Sequence, residues 1–343
     1  MVAVAVLAVV SAVALKSHFS SSATTTSSVP ASSTTAPSST TTTSRPATSP
    51  SAVGAVTLVL REPATATLGV RTLATTVRYP ATGPPGGPVV PGATPLRRAG
   101  PYPLVVFSQG FDIAPEAYAR LLNSWAAAGF VVADPTYPFT SPNAPGGVVR
   151  TDIVHHPTDL SFVITSLVQN SSRGGVLAGL INPSQIGVIG QSDGGDVTLA
   201  ASANSCCRDA RIKAAVILSG AELSWFAGSY FATPAVPMLV VQGTADLTMN
   251  PVTCSVQLYN AAPQPKYYLS MIGQTHLSAY VPPGPAQRVV IRVTTDFLNA
   301  YLRHRSSSLE AMTSAGNVAG LASITNQASL PPVSGTCPDA PAG

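Results

Sequence analysis

The sequence predicts an α/β fold with a mostly parallel central sheet and helices on both faces. The first observation behind this prediction is that short apolar runs alternate with helical patterns from Val53 to Arg305. Such alternation is typical of parallel strands that are connected by covering helices. The second is composition: the chain has 343 residues, of which 45% are hydrophobic and 9% are charged. That is enough apolar material to close the core of one large domain or two small ones.

The strands are predicted from short apolar runs and the helices from apolar periodicity. The predicted strands are 56–60, 75–79, 103–107, 130–134, 186–190, 214–218, 238–242 and 266–271. The predicted helices are 115–128, 157–169, 196–203 and 285–303. Several of these helices begin with proline, which is favourable there because the amide that proline lacks would have no partner. The Gly/Pro-rich stretch 81–95 is predicted to be a loop between strands.

The first segment, MVAVAVLAVVSAVAL, is an uninterrupted apolar run. It is short for a bilayer span but has the length of the apolar part of an export signal, although its basic residue, Lys16, follows the run. Residues 1–16 are therefore predicted to be an export signal or an N-terminal anchor. Residues 17–52 are rich in Ser, Thr and Pro. They are predicted to form a disordered tether to a membrane or cell wall, with a tolerated low-complexity leader as the alternative.

The rest of the chain divides into a globular domain, 53–305, and a C-terminal extension, 306–343. With an export signal in front of it, this domain is expected to be secreted or extracytoplasmic, and to be a monomer. The formal net charge of +4 is scattered, and the most basic stretches are Arg97–Arg98 and residues 303–305. Nucleic-acid binding would need a clustered basic stripe, so no nucleic-acid partner is expected.

Four cysteines are present: Cys206, Cys207, Cys254 and Cys337. In an oxidising compartment they allow three disulfide pairings. A bond between neighbouring cysteines is strained, so Cys254 and Cys337 are each expected to pair with one member of the adjacent pair. A zinc site is the alternative, but no Cys or His partner lies at zinc-binding spacing.

The stretch VIGQSDGGDV, residues 188–197, sets Ser192 between two glycines at the end of an apolar strand. A Gly-x-Ser-x-Gly pattern alone is a weak signal in a chain rich in Gly and Ser. Here the predicted strand ends at Ile189, a turn begins at Gly190, and Gly194 and Gly195 open a helix. This strand-turn-helix context is the one that a nucleophile elbow requires.

Four motifs together resemble the α/β-hydrolase family over about 53–305: PYPLVVFSQGF, GQSDGG, VVQGTADLTMNP and GQTH. They are most similar to the branch that contains secreted polyester hydrolases and cutinase-like esterases, chlorophyllases and platelet-activating-factor acetylhydrolases. The resemblance implies an α/β-hydrolase fold and a serine esterase that uses no metal or organic cofactor.

The resemblance also implies a chain order of serine, acid and histidine, which Ser192, Asp246 and His276 satisfy. A serine hydroxyl is a weak nucleophile at neutral pH, so it needs a general base and a carboxylate that orients the base. Asp246 follows the predicted strand 238–242, and His276 follows 266–271. A loop-capping aspartate and a surface histidine are the alternatives.

Relatives in the family hold the reacting oxygen with two backbone amides, which the resemblance assigns here to Phe111 and Asp193. Gln109 stands where many relatives have His before the glycine. The aromatic side chains of Phe111 and Trp225 are candidates for the walls of a substrate pocket, with ordinary core packing as the alternative.

The sequence as a whole predicts an exported serine hydrolase that cleaves carboxylic esters, polymeric or lipid-like, through an acyl-enzyme. No long apolar insertion separates Ser192 from Asp246, which favours an open cleft over a lid. Three alternatives stay open. The same three residues would serve an acyltransferase or a peptidase, and the fold would serve a catalytically silent binding protein at the cell surface.

Overall fold

The computed structural model describes residues 50–232, 234 and 236–339. The predicted export segment and most of the predicted tether lie outside the described residues, so those assignments stay predictions. Among the helices of the described part of the chain, none is long and apolar enough to cross a membrane.

Within the described residues, ten strands form one mixed sheet in the order β10-β9-β8-β7-β6-β4-β5-β2-β1-β3. Their bounds are β1 (Ala52–Glu62), β2 (Arg71–Ala81), β3 (Val90–Pro91), β4 (Tyr102–Ser108), β5 (Val131–Thr136), β6 (Ile181–Gln191), β7 (Ile212–Leu218), β8 (Met238–Gly243), β9 (Lys266–Met271) and β10 (Ala322–Thr325). The six strands from β5 to β9 in this order are parallel, and β2 and β10 join them antiparallel. The predicted α/β class with a mostly parallel sheet is therefore confirmed, and each predicted strand is present.

Helices connect these strands. Their bounds are α1 (Ala119–Ala127), α2 (His156–Ser172), α3 (Asp193–Ala203), α4 (Val252–Ala261), α5 (Pro285–Leu302) and α6 (Ser307–Gly316), with 3-10 helices at Arg97–Ala99, Pro115–Tyr118 and Arg150–His155. Helix α3 begins three residues earlier than predicted, so Gly194 and Gly195 lie inside its first turn. Helices α4 and α6 and strands β3 and β10 were not predicted, and β3, a two-residue strand that pairs with β1, lies within the stretch predicted to be a loop. Strand β10 pairs with β9, so the segment beyond residue 305 extends the sheet.

Hydrophobic cores lie on both faces of the sheet. Val105 and Phe107 of β4 face one core, which contains the apolar sides of α1 and α5. Leu104 and Val106, which point to the opposite face, belong to a second core with the apolar side of α2. This alternation along one fully buried strand is what a parallel strand with helices on both faces requires.

The disulfide pairing differs from the prediction. Cys206 is bonded to its neighbour Cys207, and Cys254 is bonded to Cys337, 83 residues later. The expected cross-pairing is wrong because the C-terminal segment runs along α4, where Tyr259 hydroxyl donates to the carbonyl of Gln327, and so reaches Cys254. The adjacent cysteines lie instead in the turn after α3.

A buried ionic cluster joins β2 to the helices on that face of the sheet. The Arg71 guanidinium donates to both oxygens of Asp159, at 2.7 and 2.6 Å, and to both oxygens of Asp152, at 2.8 Å each. His156 lies beside Asp152 and stacks on Tyr137, with ring centroids 3.9 Å apart. Burial opposes ionisation, but hydrogen bonds from His156 and Arg71 hold the pKa of Asp152 well below its usual range. The cluster therefore fixes the 3-10 helix that contains Asp152.

Replacing Arg71 with Met should destabilise the protein by about 3–5 kcal/mol, because two carboxylates would stay buried without a cation. The measurement is urea denaturation at neutral pH. The control is Arg61→Met on the neighbouring strand β1, where the side chain is exposed and the change should stay within about 0.5 kcal/mol. A loss for Arg71→Met as small as that of the control would contradict the structural role of the cluster.

Candidate active site

The candidate site lies where the strand order of the sheet reverses. Strand β4 is followed along the chain by β5 on one side and by β6 on the other. In open α/β sheets, ligands bind at the carboxyl ends of the strands at such a point. The two loops that meet there are the one after β4 and the turn that holds Ser192. A Cβ added to Gly110 would lie only 3.2 Å from the Cβ of Ser192, so the two loops are in close contact.

Ser192 has a backbone conformation that side chains rarely adopt, with φ 57° and ψ −129°. Residues held in this way cluster at functional sites. The flanking glycines make the conformation feasible. A Cβ on Gly190 would overlap the carbonyl oxygen of Gly194, and a Cβ on Gly194 would overlap that of Ser108. The turn is therefore a tight junction between the end of β6 and the start of α3, with Ser192 at its apex.

A chain of hydrogen bonds joins the three predicted residues. His276 Nε2 lies 2.8 Å from Ser192 Oγ, and His276 Nδ1 lies 2.6 Å from Asp246 Oδ2. When the Asp246 carboxylate is ionised, Nδ1–H donates to it and Nε2 is left to accept the hydroxyl proton. Asp246 is 2% exposed. Its carboxylate also accepts the amide of Asn250 and the side-chain nitrogen of Gln242, each at 3.3 Å.

A second, buried network of hydrogen bonds orients the loop that contains His276. This network was not predicted from the sequence. Gln191 Nε2 donates to the carbonyl of His276 at 3.1 Å. The Tyr118 hydroxyl donates to Gln191 Oε1 at 2.7 Å, and the amide of Gly110 donates to the same hydroxyl at 3.4 Å. One side chain at the end of β6 thus connects the loop after β4 to the loop that holds His276. The signal available in the sequence was a glutamine at the buried end of an apolar strand.

A cavity of about 480 Å³ opens beside Ser192. Its walls include Phe111 and Ile113 from the loop after β4, Leu223 from the loop after β7, and His276. Phe111 therefore lies where a wall residue was expected. Trp225 is not among the described residues that line the cavity. Its ring packs instead on the guanidinium of Arg150, 5.1 Å from the ring centroid.

Two amides are free to act as donors at this cavity. Asp193 is the first residue of α3, and the amide of a first helical residue has no acceptor within its own helix. In the part of the chain that the structure describes, the amides of Phe111 and Asp193 have no hydrogen-bond acceptor. Both residues line the cavity with Ser192. Together with the positive end of the α3 dipole, these donors would favour a negatively charged oxygen.

Two further carboxyl groups lie in the first turns of α3. Asp193 accepts two hydrogen bonds of 2.9 Å from Arg150. Asp196 is 2% exposed, lines the cavity, and accepts the amide of Ala221 at 2.6 Å. Burial, with the neighbouring charge of Asp193, raises the pKa of Asp196 well above its usual range. Asp196 therefore retains its proton at pH values where an exposed aspartic acid has lost it.

Asp196→Asn should reduce the pH dependence of stability. Because the folded-state pKa of Asp196 is raised, the unfolded chain releases this proton first, and the free energy of unfolding falls as the pH rises above about 4. Asparagine keeps an oxygen for the Ala221 amide but does not titrate. Thermal unfolding midpoints between about pH 5 and about pH 8 should decline less for Asp196→Asn than for the wild type.

The control for this measurement is Glu310→Gln, which neutralises an exposed carboxylate on α6. It should follow the wild-type profile. Parallel profiles for wild type and Asp196→Asn would mean that the carboxyl group of Asp196 ionises alike in the folded and unfolded chains.

Comparison with known proteins does not assign this site. The sequence matches no protein-family model, and no curated protein is significantly similar to it. The fold class alone does not decide function, because mostly parallel α/β sheets carry many unrelated activities. Evidence on function therefore comes from the geometry around Ser192, Asp246 and His276 and from the motifs that contain them.

Proposed function

We propose that this chain is a serine hydrolase of the α/β-hydrolase fold that cleaves carboxylic esters through an acyl-enzyme intermediate. The observation that carries the proposal is the chain of hydrogen bonds from Asp246 through His276 to Ser192. The serine lies on a strained turn at the carboxyl end of a parallel strand, β6, beside a cavity. A loop-capping aspartate or a surface histidine would not be expected to form both the contact between Asp246 and His276 and the contact between His276 and Ser192.

The first half of the reaction forms the acyl-enzyme. Ser192 Oγ attacks the carbonyl carbon of the ester while His276 Nε2 takes the hydroxyl proton, and Asp246 stabilises the imidazolium that results. The carbonyl oxygen becomes an oxyanion, which accepts hydrogen bonds from the amides of Phe111 and Asp193. The bond to the alcohol oxygen then breaks as His276 returns the proton to it. The alcohol leaves, and the acyl group stays on Ser192.

The second half repeats these steps with water. His276 takes a proton from a water molecule, whose oxygen attacks the acyl carbon of the Ser192 ester. The same two amides hold the second oxyanion. As the tetrahedral species collapses, Ser192 regains its proton and the carboxylic acid is released. No step requires a metal or an organic cofactor.

Apolar surface around the cavity supports esters with hydrophobic groups. Ile113, Leu223 and Leu277 line the cavity. Leu247 and Met249, in the loop directly after Asp246, are 75% and 62% exposed. Exposed apolar side chains so close to a reaction centre suit contact with a lipid-like or polymeric ester. The two disulfides are compatible with the proposed extracytoplasmic location.

The proposal predicts that Ser192→Ala and His276→Ala each lower kcat/KM by about 10⁴-fold or more, and that the double variant is little worse, because the two residues act as one unit. Asp246→Asn should also lower kcat/KM severely, but by amounts that differ more between substrates, since it favours the wrong tautomer of His276. The measurement is hydrolysis of p-nitrophenyl acetate, butyrate and a longer acyl ester by the purified chain.

Matched controls are Ser184→Ala and His304→Ala, whose side chains are exposed and do not line the cavity, and both should retain wild-type rates. Ordinary turnover of every ester by Ser192→Ala would remove this serine from the mechanism. Product analysis with an added alcohol then separates the alternatives. A transferred acyl group identifies an acyltransferase, and a wild-type chain inactive on esters and amides indicates a binding protein.

A further inference from the structure

The last described part of the chain, here called the C-terminal strap (residues 331–339), crosses from α4 to the candidate site. It is fixed to α4 by the bond between Cys254 and Cys337 and by the Thr253 hydroxyl, which donates to the carbonyl of Ser334 at 3.2 Å. Beyond this anchor, Pro338 and Asp339 line the cavity that contains Ser192. The strap is therefore part of the wall of the cavity.

Two contacts hold the end of the strap at the cavity. The amide of Ser224 donates to the carbonyl of Asp339 at 2.8 Å. Arg150 Nη1 donates to the side chain of Asp339 at 3.1 Å. The first contact lies next to Trp225, whose ring is covered by the guanidinium of Arg150. Loss of the strap would therefore change the surroundings of Trp225 as well as the shape of the cavity.

Arg150 connects the strap to the residue that follows Ser192. Its Nε and Nη2 donate to the carboxylate of Asp193 at 2.9 Å each, while Nη1 donates to Asp339. Two parallel bonds of this kind fix the position of a carboxylate as well as its charge. The amide of Asp193 is one of the two proposed donors to the oxyanion, so the guanidinium, which itself lines the cavity, holds this donor in place.

We propose that the C-terminal strap is a specificity-determining wall of the ester-binding cavity, and that Arg150 is a positioning residue that joins this wall to Asp193. The role of the strap in ester specificity depends on the proposed ester hydrolysis. Its role as part of the cavity wall does not depend on any activity. The strap closes the side of the cavity formed by Pro338 and Asp339, so it excludes esters with bulky groups on that side and leaves small esters unaffected.

The role of the strap and the role of Arg150 should be distinguishable by enzyme kinetics, because Arg150 is held in place by more than its contact with the strap. Arg150 begins the 3-10 helix Arg150–His155, which the ion pair between Arg71 and Asp152 also holds in place. When the strap is released, Arg150 keeps its two hydrogen bonds to Asp193, so the main change is expected in the ratio of kcat/KM between bulky and small esters. Removing the guanidinium instead loosens the oxyanion donor and lowers kcat.

The test uses the full chain. The strap is released in a triple variant, Cys254→Ser with Cys337→Ser and Asp339→Ala. Its kcat/KM for a bulky ester, p-nitrophenyl pivalate, should rise relative to p-nitrophenyl acetate by about tenfold, the scale of steric discrimination in a pocket. The control is Cys206→Ser with Cys207→Ser, which removes the other disulfide and should leave the ratio unchanged. Asp339→Ala alone keeps both disulfides and should change the ratio in the same direction.

Arg150→Met should lower kcat for p-nitrophenyl acetate by about tenfold with little change in KM, because an interaction realised in the transition state is weakened. Arg150→Lys, which keeps the charge but not the paired hydrogen bonds, should recover only part of the loss. An unchanged size ratio in the released variants overturns the specificity role of the strap. An unchanged kcat in Arg150→Met overturns the positioning role.

Tryptophan fluorescence tests, without any enzymatic reaction, whether the strap forms part of the cavity wall. The chain has two tryptophans, of which Trp125 is fully buried and Trp225 is partly exposed. Strap release should shift the emission to longer wavelength and increase quenching by acrylamide, and Trp225→Phe should abolish both changes. If the wild type hydrolyses no ester, the proposed function fails while this readout still reports the wall. Unchanged Trp225 fluorescence in the triple variant overturns the wall whatever the activity.

Discussion

Close main-chain packing between the end of β6 and the first turn of α3 is the constraint on which the candidate site depends. Gly190 and Gly194 bring backbone against backbone with no space for a side chain. This junction holds Ser192 at a positive φ and places Asp193, the first residue of α3, at the same cavity. One short turn thereby fixes the proposed nucleophile and one of the proposed oxyanion donors, and the remaining elements bring other groups to it.

Those other groups come from distant parts of the chain, and buried polar contacts hold them in register. Gln191 links the histidine loop to Tyr118, residues 85 and 73 positions away from it. The Arg71 cluster fixes the 3-10 helix that begins with Arg150, and Arg150 in turn contacts Asp193. Because unpaired polar groups are costly inside a protein, each network favours one arrangement of loops over alternatives of similar compactness.

Local patterns in the sequence predicted the parallel sheet and the turn at Ser192, because strand runs and glycine turns are short-range signals. The choice of Asp246 and His276 depended on the order of residues that the family resemblance implies, together with their positions after β8 and β9. Helix α4 was not predicted because its sequence, VTCSVQLYNA, is rich in residues of modest helix propensity. The disulfide pairing and the roles of Gln191 and Arg150 depend on which distant segments meet. No local periodicity encodes that, so they became visible only in three dimensions.

The central claim is that Ser192 is a nucleophile activated by His276, and active-site labelling tests it most directly. The purified chain would be treated with a fluorophosphonate, which reacts with activated serines, and the modified peptide identified by mass spectrometry. The account predicts one adduct per chain on Ser192, with labelling strongly slowed in His276→Ala. A folded wild-type chain that forms no adduct, or one that is labelled equally fast when His276 is replaced, would contradict it.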